Sequence, residues 1–99
     1  MGEGERAPDA PAGQGSLLEL YQFEDCPFCE RVRRALDDLG LDYVVRTEPR
    51  SHPDRQRVLR VSGQTEVPVL VDPARGKTVV DSKEIVAYLL KQYARHAGA

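Results

Sequence analysis

The sequence predicts one α/β domain in which helices flank a mixed four-stranded sheet, in the order β-α-β-α-β-β-α. Short runs of apolar and strand-forming residues alternate with segments whose apolar residues recur every three or four positions. Glycine and proline mark the junctions between these segments. The length of 99 residues is enough for a single domain with its own core.

The first half of the chain has the pattern of a β-α-β unit. Residues 17–23, which read LLELYQF, are dense in apolar and strand-favouring side chains. Residues 41–46, which read LDYVVR, alternate as a second strand does. Between them, Pro27 suits the first turn of a helix and Gly40 its end. The apolar residues of that segment share one helix face: Phe28, Val32, Ala35, Leu36 and Leu39.

The next part of the chain predicts a short helix followed by a hairpin. Residues 49–64 suit the helix, with Pro53 near its start and Gly63 near its end. Residues 66–72, which read EVPVLVD, and residues 77–81, which read KTVVD, suit two strands. The turn sequence DPARG joins them, so we expect the two strands to pair.

A last helix is indicated by an apolar stripe and a start signal. Asp81 and Glu84 have the spacing of a capping box at its entry. The stripe consists of Ile85, Val86, Leu89, Leu90 and Tyr93.

Composition separates a tail from the domain and limits the partners. Residues 1–16, which read MGEGERAPDAPAGQGS, carry almost no apolar side chains, so we expect a flexible tail before a domain at 17–95. The net charge of -2 gives no reason to expect a nucleic-acid partner. No apolar run approaches the roughly 20 residues that cross a bilayer, and no signal peptide is recognisable. We therefore expect a cytoplasmic protein without a membrane partner.

The chain has two cysteines, Cys26 and Cys29, at the predicted junction of the first strand and the first helix. Unpaired N–H groups and the positive end of the helix dipole stabilise a thiolate at such a position. Cys29 follows within the first turn, further from the helix end. The arrangement favours Cys26 as a nucleophile and Cys29 as the thiol that resolves its adducts.

Other roles for this cysteine pair have less support. A structural zinc site needs four ligands, and neither His52 nor His96 lies at a suitable spacing, so we expect no metal. A permanent disulfide usually belongs to a secreted chain. A buried, inert pair fits poorly with the preceding acidic residues Glu24 and Asp25. Redox chemistry is the favoured interpretation.

The segment from residue 17 to 93 resembles a glutaredoxin. The resemblance rests on CPFC where the family commonly has CPYC, on VSGQTEVP, and on VVDSKEI before the last helix. It implies a thioredoxin-like fold and glutathione as the co-substrate. Cys26 would then attack a disulfide, Phe28 would wall the glutathione groove, and Pro68 would be a cis-proline. In that arrangement Val67 presents its backbone to the cysteinyl part of glutathione.

The same resemblance implies partners for the two ends of glutathione. Arg55 would face the glycine carboxylate, and Asp81 with Ser82 would hold the γ-glutamyl end near the start of the last helix. Simpler roles stand beside these. Phe28 could be core packing, Arg55 a solvated helix charge, and Asp81 a helix cap only.

Some residues depart from the glutaredoxin pattern. Phe23 stands where many glutaredoxins have lysine, and Asp25 where they often have threonine or serine. The DS step at 81–82 is similar to the Glu-Ser step of glutathione-transferase N-terminal domains. LYQFEDCPFC also resembles the glutaredoxin-like domain of the transferase-type prostaglandin E synthases.

The leading functional hypothesis is a monomeric dithiol glutaredoxin, which reduces disulfide-bonded or glutathionylated proteins with glutathione. The second is a transferase-type domain that binds glutathione with weak redox turnover. An iron–sulfur cluster module shared by two subunits and a thioredoxin-like reductant served by a flavoprotein are further alternatives.

Overall fold

The computed structural model describes residues 17–98, with the side chains of 17–94, and the predicted tail at 1–16 lies outside them. It contains the mixed four-stranded sheet and the element order that the sequence predicts. The strands are β1 (Leu18–Gln22), β2 (Tyr43–Thr47), β3 (Val69–Asp72) and β4 (Lys77–Val80). The α-helices are α1 (Pro27–Asp38), α2 (Gln56–Ser62) and α3 (Ser82–Gly98).

The central strands of the sheet are β1 and β3. The spatial order is β2-β1-β3-β4, with β1 parallel to β2 and antiparallel to β3, and with β3 antiparallel to β4. Leu20 of β1 therefore lies between Val45 of β2 and Leu70 of β3. Because β1 is paired along both edges, the end of β1 provides a fixed base for the loop that carries the cysteines.

Helices cover both faces of this sheet. Leu18 and Leu20 lie two residues apart on β1 and share one face, whereas Tyr21 lies on the other. The larger core cluster joins that first face to α1 and α3, through Leu18, Leu20, Val32, Leu36, Leu70, Ile85 and Leu89. The smaller cluster joins the opposite face to α2, through Tyr21, Val58 and Val69.

The predicted helix at 49–64 is interrupted in the structure. A single 3-10 turn covers His52–Asp54, and α2 begins only at Gln56. The two segments do not join because Arg55 has a ψ of 68°, which is outside the helical range. As predicted, α2 ends at a glycine, since Gly63 has the left-handed conformation that favours this residue.

A buried carboxylate connects the β3–β4 hairpin to the last helix. Asp72 closes β3, and its Oδ2 accepts hydrogen bonds from the hydroxyls of Tyr88 and Tyr93, each at 2.7 Å. Arg75 Nη1 lies 3.6 Å from the same oxygen. Burial and the Asp72 hydrogen bond raise the pKa of Tyr93 to about 12, and the same causes raise the pKa of Tyr88.

Replacing Tyr88 with phenylalanine is expected to lower the free energy of unfolding at pH 7 by about 1–2 kcal/mol, because a donor to the buried carboxylate is lost. Both tyrosine pKa values lie above their ordinary value of 10.0 in the folded chain. The stabilisation from each tyrosine is therefore complete below pH 10 and falls at higher pH, and the part from Tyr93 is lost as the pH rises through about 12. Urea unfolding at pH 7 and pH 11 measures both effects.

The matched control is Tyr43→Phe, which removes the hydroxyl of a half-buried tyrosine on β2 and should cost less at pH 7. Equal unfolding free energies for Tyr88→Phe and the wild type would contradict a stabilising role for the Asp72 contact.

Candidate functional site

Cys26 is the N-cap residue of α1. Its backbone is extended, with φ -104° and ψ 112°, and Pro27 occupies the first helical position. The Cys26 Sγ accepts a hydrogen bond from the backbone N–H of Cys29 at 3.3 Å. The sulfur thus occupies the place that a serine or aspartate oxygen takes in other helix caps. The N-terminus of a helix is also where a side chain faces the positive end of the helix dipole.

Cys29 lies one turn further along α1 and is fully buried. Burial is the largest cause that raises the pKa of the Cys29 thiol to about 12, and the hydrogen bond with Cys26 is the second. Both cysteines are free thiols. Cys29 is therefore protonated and shielded at neutral pH, whereas Cys26 is partly exposed.

Iodoacetamide at pH 7 is expected to alkylate Cys26 and to spare Cys29 in the folded, reduced chain. Alkylation requires both thiolate and access, and Cys29 has 0% exposure with a pKa of about 12. Intact mass should show one addition, and peptide mapping should place it on Cys26. Unfolding the chain first should give two additions. Similar rates at both cysteines in the folded chain would contradict the burial of Cys29.

Next to the start of α1 lies a groove of about 310 Å³. It brings together five of the residues that the sequence assigned to glutathione: Phe28, Val67, Pro68, Asp81 and Ser82. Gln64, Glu66 and Val80 complete the lining. These residues come from the start of α1, the loop before β3, the end of β4 and the start of α3.

The walls of this groove differ in character. Phe28 contributes an aromatic ring that is 54% exposed, so it is not a core residue. The Val67-Pro68 peptide bond is cis, as the resemblance to glutaredoxins implies. Pro68 is buried behind the wall, and Val67 is half-buried. The groove therefore has an apolar side formed by Phe28, Val67 and Pro68.

The other side of the groove contains the start of α3. The Oδ2 of Asp81 accepts a hydrogen bond from the N–H of Glu84 at 3.3 Å, so the aspartate half of the predicted capping box is present. Asp81 has a φ of 75°, which is uncommon for a residue with a side chain. Ser82 is buried at the first position of the helix. An acceptor carboxylate and a positive helix end thus lie side by side.

Arg55 is not among the residues that line this groove. Its side chain is buried, and its guanidinium donates to the carbonyl oxygens of Pro49 at 2.7 Å, Arg50 at 3.1 Å and Thr65 at 3.0 Å. Its Nε and both terminal nitrogens each donate to a carbonyl oxygen of the chain, and the contact with a glycine carboxylate stays a prediction. Its burial contradicts a solvated helix charge.

Arg50 is a residue that sequence reasoning missed. Its guanidinium lies 4.8 Å from the centroid of the Phe23 ring, and its Nη2 lies 3.4 Å from the Asp25 Oδ2. The sequence indicated a missing cation at Phe23 and an added carboxylate at Asp25. The fold places a cation against both residues from a loop that lies 25 positions after Asp25, and no local pattern reveals such a contact.

Two other features are relevant to function. Within residues 17–98, no group of three or more His, Cys, Asp or Glu side chains is arranged to hold a metal ion. Over that same stretch, no helix combines the length and hydropathy that a bilayer crossing requires.

Sequence comparison relates most of the chain to one family. The family model described as glutathione S-transferase, N-terminal domain, matches residues 20–97. Mouse prostaglandin E synthase 2 is 37% identical over 65 residues, which are 66% of this chain and 16% of that protein. The zebrafish (Danio rerio) protein of the same name is 30% identical over 76 residues, which are 77% of this chain and 19% of that protein. The chain thus spans less than a fifth of these curated relatives.

Solved structures share the fold. Ure2p in complex with glutathione superposes with a TM-score of 0.71 at 21% identity, over 86% of this chain and 37% of that one. A glutathione transferase homologue from Drosophila mojavensis, with bound glutathione, superposes with a TM-score of 0.71 at 26% identity. The match covers 80% of this chain and 36% of that one. Glutaredoxin 2 from Salmonella typhimurium, in complex with glutathione, superposes with a TM-score of 0.65 at 24% identity. The match covers 75% of this chain and 33% of that one. The predicted thioredoxin-like fold is confirmed, and the chain belongs to the glutathione S-transferase N-terminal domain family.

Proposed function

We propose that this chain is a glutathione-dependent thiol–disulfide oxidoreductase whose nucleophile is Cys26. The observation that carries the proposal is the position of the Cys26 sulfur at the N-cap of α1, where it accepts the Cys29 N–H beside a preformed groove. A thiolate at a helix N-terminus is the form that attacks disulfides. The substrates would be glutathionylated or disulfide-bonded proteins, reduced in the cytoplasm by a monomeric enzyme.

The groove has suitable groups for glutathione. We propose that the backbone of Val67 pairs with the cysteinyl part, and that the apolar side at Phe28 and Pro68 contacts its side chain. The Asp81 carboxylate would bind the γ-glutamyl ammonium group, and the N-terminus of α3 at Ser82 would receive the neighbouring carboxylate. The solved complexes of Ure2p, the Drosophila transferase homologue and glutaredoxin 2 with glutathione support glutathione as the ligand.

The first chemical step would be a thiol–disulfide exchange. The thiolate of Cys26 attacks the glutathione sulfur of a mixed disulfide, so that a new bond forms to Sγ as the old S–S bond breaks. The bond electrons leave with the target protein's sulfur, which takes up a proton and becomes a thiol. Cys26 then carries glutathione as a mixed disulfide, and the target protein is reduced.

The second step would regenerate Cys26. A second glutathione thiolate attacks the glutathione sulfur held on Cys26, which forms oxidised glutathione and releases Cys26 as a thiolate. Cys29 could attack the Cys26 sulfur instead, which would form the Cys26–Cys29 disulfide and release glutathione. The buried Cys29 thiol, with a pKa of about 12, supplies little thiolate at neutral pH. We therefore propose that the second glutathione resolves most turnovers.

A direct test is to trap the mixed disulfide. The Cys29→Ser variant, incubated with oxidised glutathione, should gain one glutathione, and peptide mapping should place it on Cys26. Absence of an adduct, or an adduct elsewhere, would contradict the proposed nucleophile.

A second candidate is a transferase-type domain that binds glutathione without redox turnover. The match to the transferase N-terminal family and the Asp81-Ser82 step at the start of α3 favour it. In that function Cys26 would contact bound glutathione without exchanging with it. Tight binding of glutathione by a chain that forms no adduct would support this candidate over the first.

A further inference from the structure

We propose that Arg55 is a positioning residue that fixes the wall of the groove formed by residues 64–68. The inference rests on the proposed function, because it concerns how the same groove holds its thiol ligand. Arg55 itself does not touch the ligand in this proposal. Its side chain sets the place of the loop that does.

The contacts of Arg55 join two separate loops. Nε and Nη2 donate to the carbonyl oxygens of Pro49 and Arg50, before α2. Nη1 donates to the carbonyl oxygen of Thr65, after α2. The planar fork of a guanidinium can make these bonds at once, and burial strengthens each of them. Thr65 lies two residues before Val67, so the bond holds the base of the groove wall.

The Arg55 guanidinium also lies near the loop that carries Cys26. The Arg55 guanidinium is 5.9 Å from the centroid of the Phe23 ring, and Phe23 accepts the backbone N–H of Cys26 through its carbonyl oxygen at 3.3 Å. Arg50, whose carbonyl Arg55 binds, also lies over Phe23 and beside Asp25. Arg55 therefore stands between the loop that carries the nucleophile and the wall that faces it, and it fixes their relative positions.

This placement predicts a specific functional signature. The environment of the Cys26 sulfur is made by the start of α1, so its intrinsic reactivity should not depend on Arg55. Ligand affinity should depend on it, because the groove wall would shift. The loss of one good hydrogen bond between the ligand and a displaced wall costs about tenfold in affinity. Lysine cannot substitute, since one ammonium group does not reproduce the three-way fork.

The experiment compares two ligands across matched variants. Dissociation constants for glutathione and for γ-glutamylcysteine, which lacks the glycine carboxylate, are measured for the wild type, Arg55→Lys and Arg55→Gln. Arg60→Lys, at an exposed position of α2, is the control. We expect both Arg55 variants to bind both ligands more weakly by a similar factor, about tenfold. The rate at which iodoacetamide modifies Cys26 should stay unchanged.

Each alternative outcome has a distinct meaning. If only glutathione binding weakens, Arg55 contacts the glycine carboxylate directly, and the positioning role is wrong. The positioning role is also wrong if neither ligand is affected or if Cys26 alkylation slows in parallel. A wild type that binds neither ligand would instead overturn the proposed function.

A second variant covers the case in which the Arg55 variants do not fold. Pro49→Gly keeps Arg55 and loosens an exposed loop that it holds. This variant should bind both glutathione and γ-glutamylcysteine more weakly than the wild type. Unchanged affinities in Pro49→Gly would then contradict the proposal.

Discussion

Replacing Cys26 with serine is expected to reduce the release of glutathione from a glutathionylated peptide by more than about 1,000-fold. A serine hydroxyl keeps the N-cap hydrogen bond from the Cys29 N–H, so the start of α1 should be preserved. It is not ionised at neutral pH and cannot form a disulfide with the substrate. The loss should therefore appear in kcat, with the dissociation constant of glutathione little changed.

Cys29→Ser is the matched control for this prediction. It removes the buried thiol and leaves the proposed nucleophile in place, so turnover with glutathione should be retained through the second glutathione. The release rate is followed by the loss of the glutathione mass from the peptide. Substantial release by Cys26→Ser, or its loss in a folded Cys29→Ser variant, would contradict the assigned roles.

The second large effect is expected for Asp81→Asn, which should weaken glutathione binding by about tenfold. The substitution removes the charge proposed to bind the γ-glutamyl ammonium group, and a hydrogen bond between charged groups contributes more than a neutral one. Because Asp81 is exposed, water screens part of the charge, and we expect the lower end of the range for such bonds. Calorimetric titration with glutathione measures the change.

The choice of asparagine separates binding from helix capping. Asparagine caps a helix about as well as aspartate and tolerates a positive φ such as the 75° of Asp81. The melting temperature should therefore stay close to that of the wild type. Asp81→Ala should lose the cap as well as the charge, and its melting temperature should fall. Unchanged affinity in Asp81→Asn would mean that Asp81 serves only as a cap.

The local elements of the fold could be predicted because they depend on neighbouring residues. The apolar face after Pro27 and the stop at Gly40 correspond to α1 at Pro27–Asp38, and Gly40 has the expected positive φ of 67°. Alternation and turn residues likewise indicated all four strands. The groove could not be predicted in this way, because its walls come from three separate segments of the chain. Only the resemblance to a family suggested that Phe28, Val67-Pro68 and Asp81-Ser82 lie together.

What could not be predicted depends on contacts between distant residues. Nothing near Arg55 in the chain indicates that its guanidinium is buried on the carbonyls of two loops. The contact of Arg50 with Phe23 and Asp25, and that of Asp72 with Tyr88, have the same origin. Such contacts follow from the way the elements pack, and hydrophobic periodicity contains no information about them.

The most direct test of the proposed function is the turnover of a glutathionylated peptide by the wild-type chain, supplied with glutathione as the only reductant. The proposal predicts repeated release of glutathione at a rate that depends on Cys26, and no comparable turnover when a thioredoxin reductase replaces glutathione as the electron source. A chain that binds glutathione in the groove yet leaves the mixed disulfide intact would contradict it.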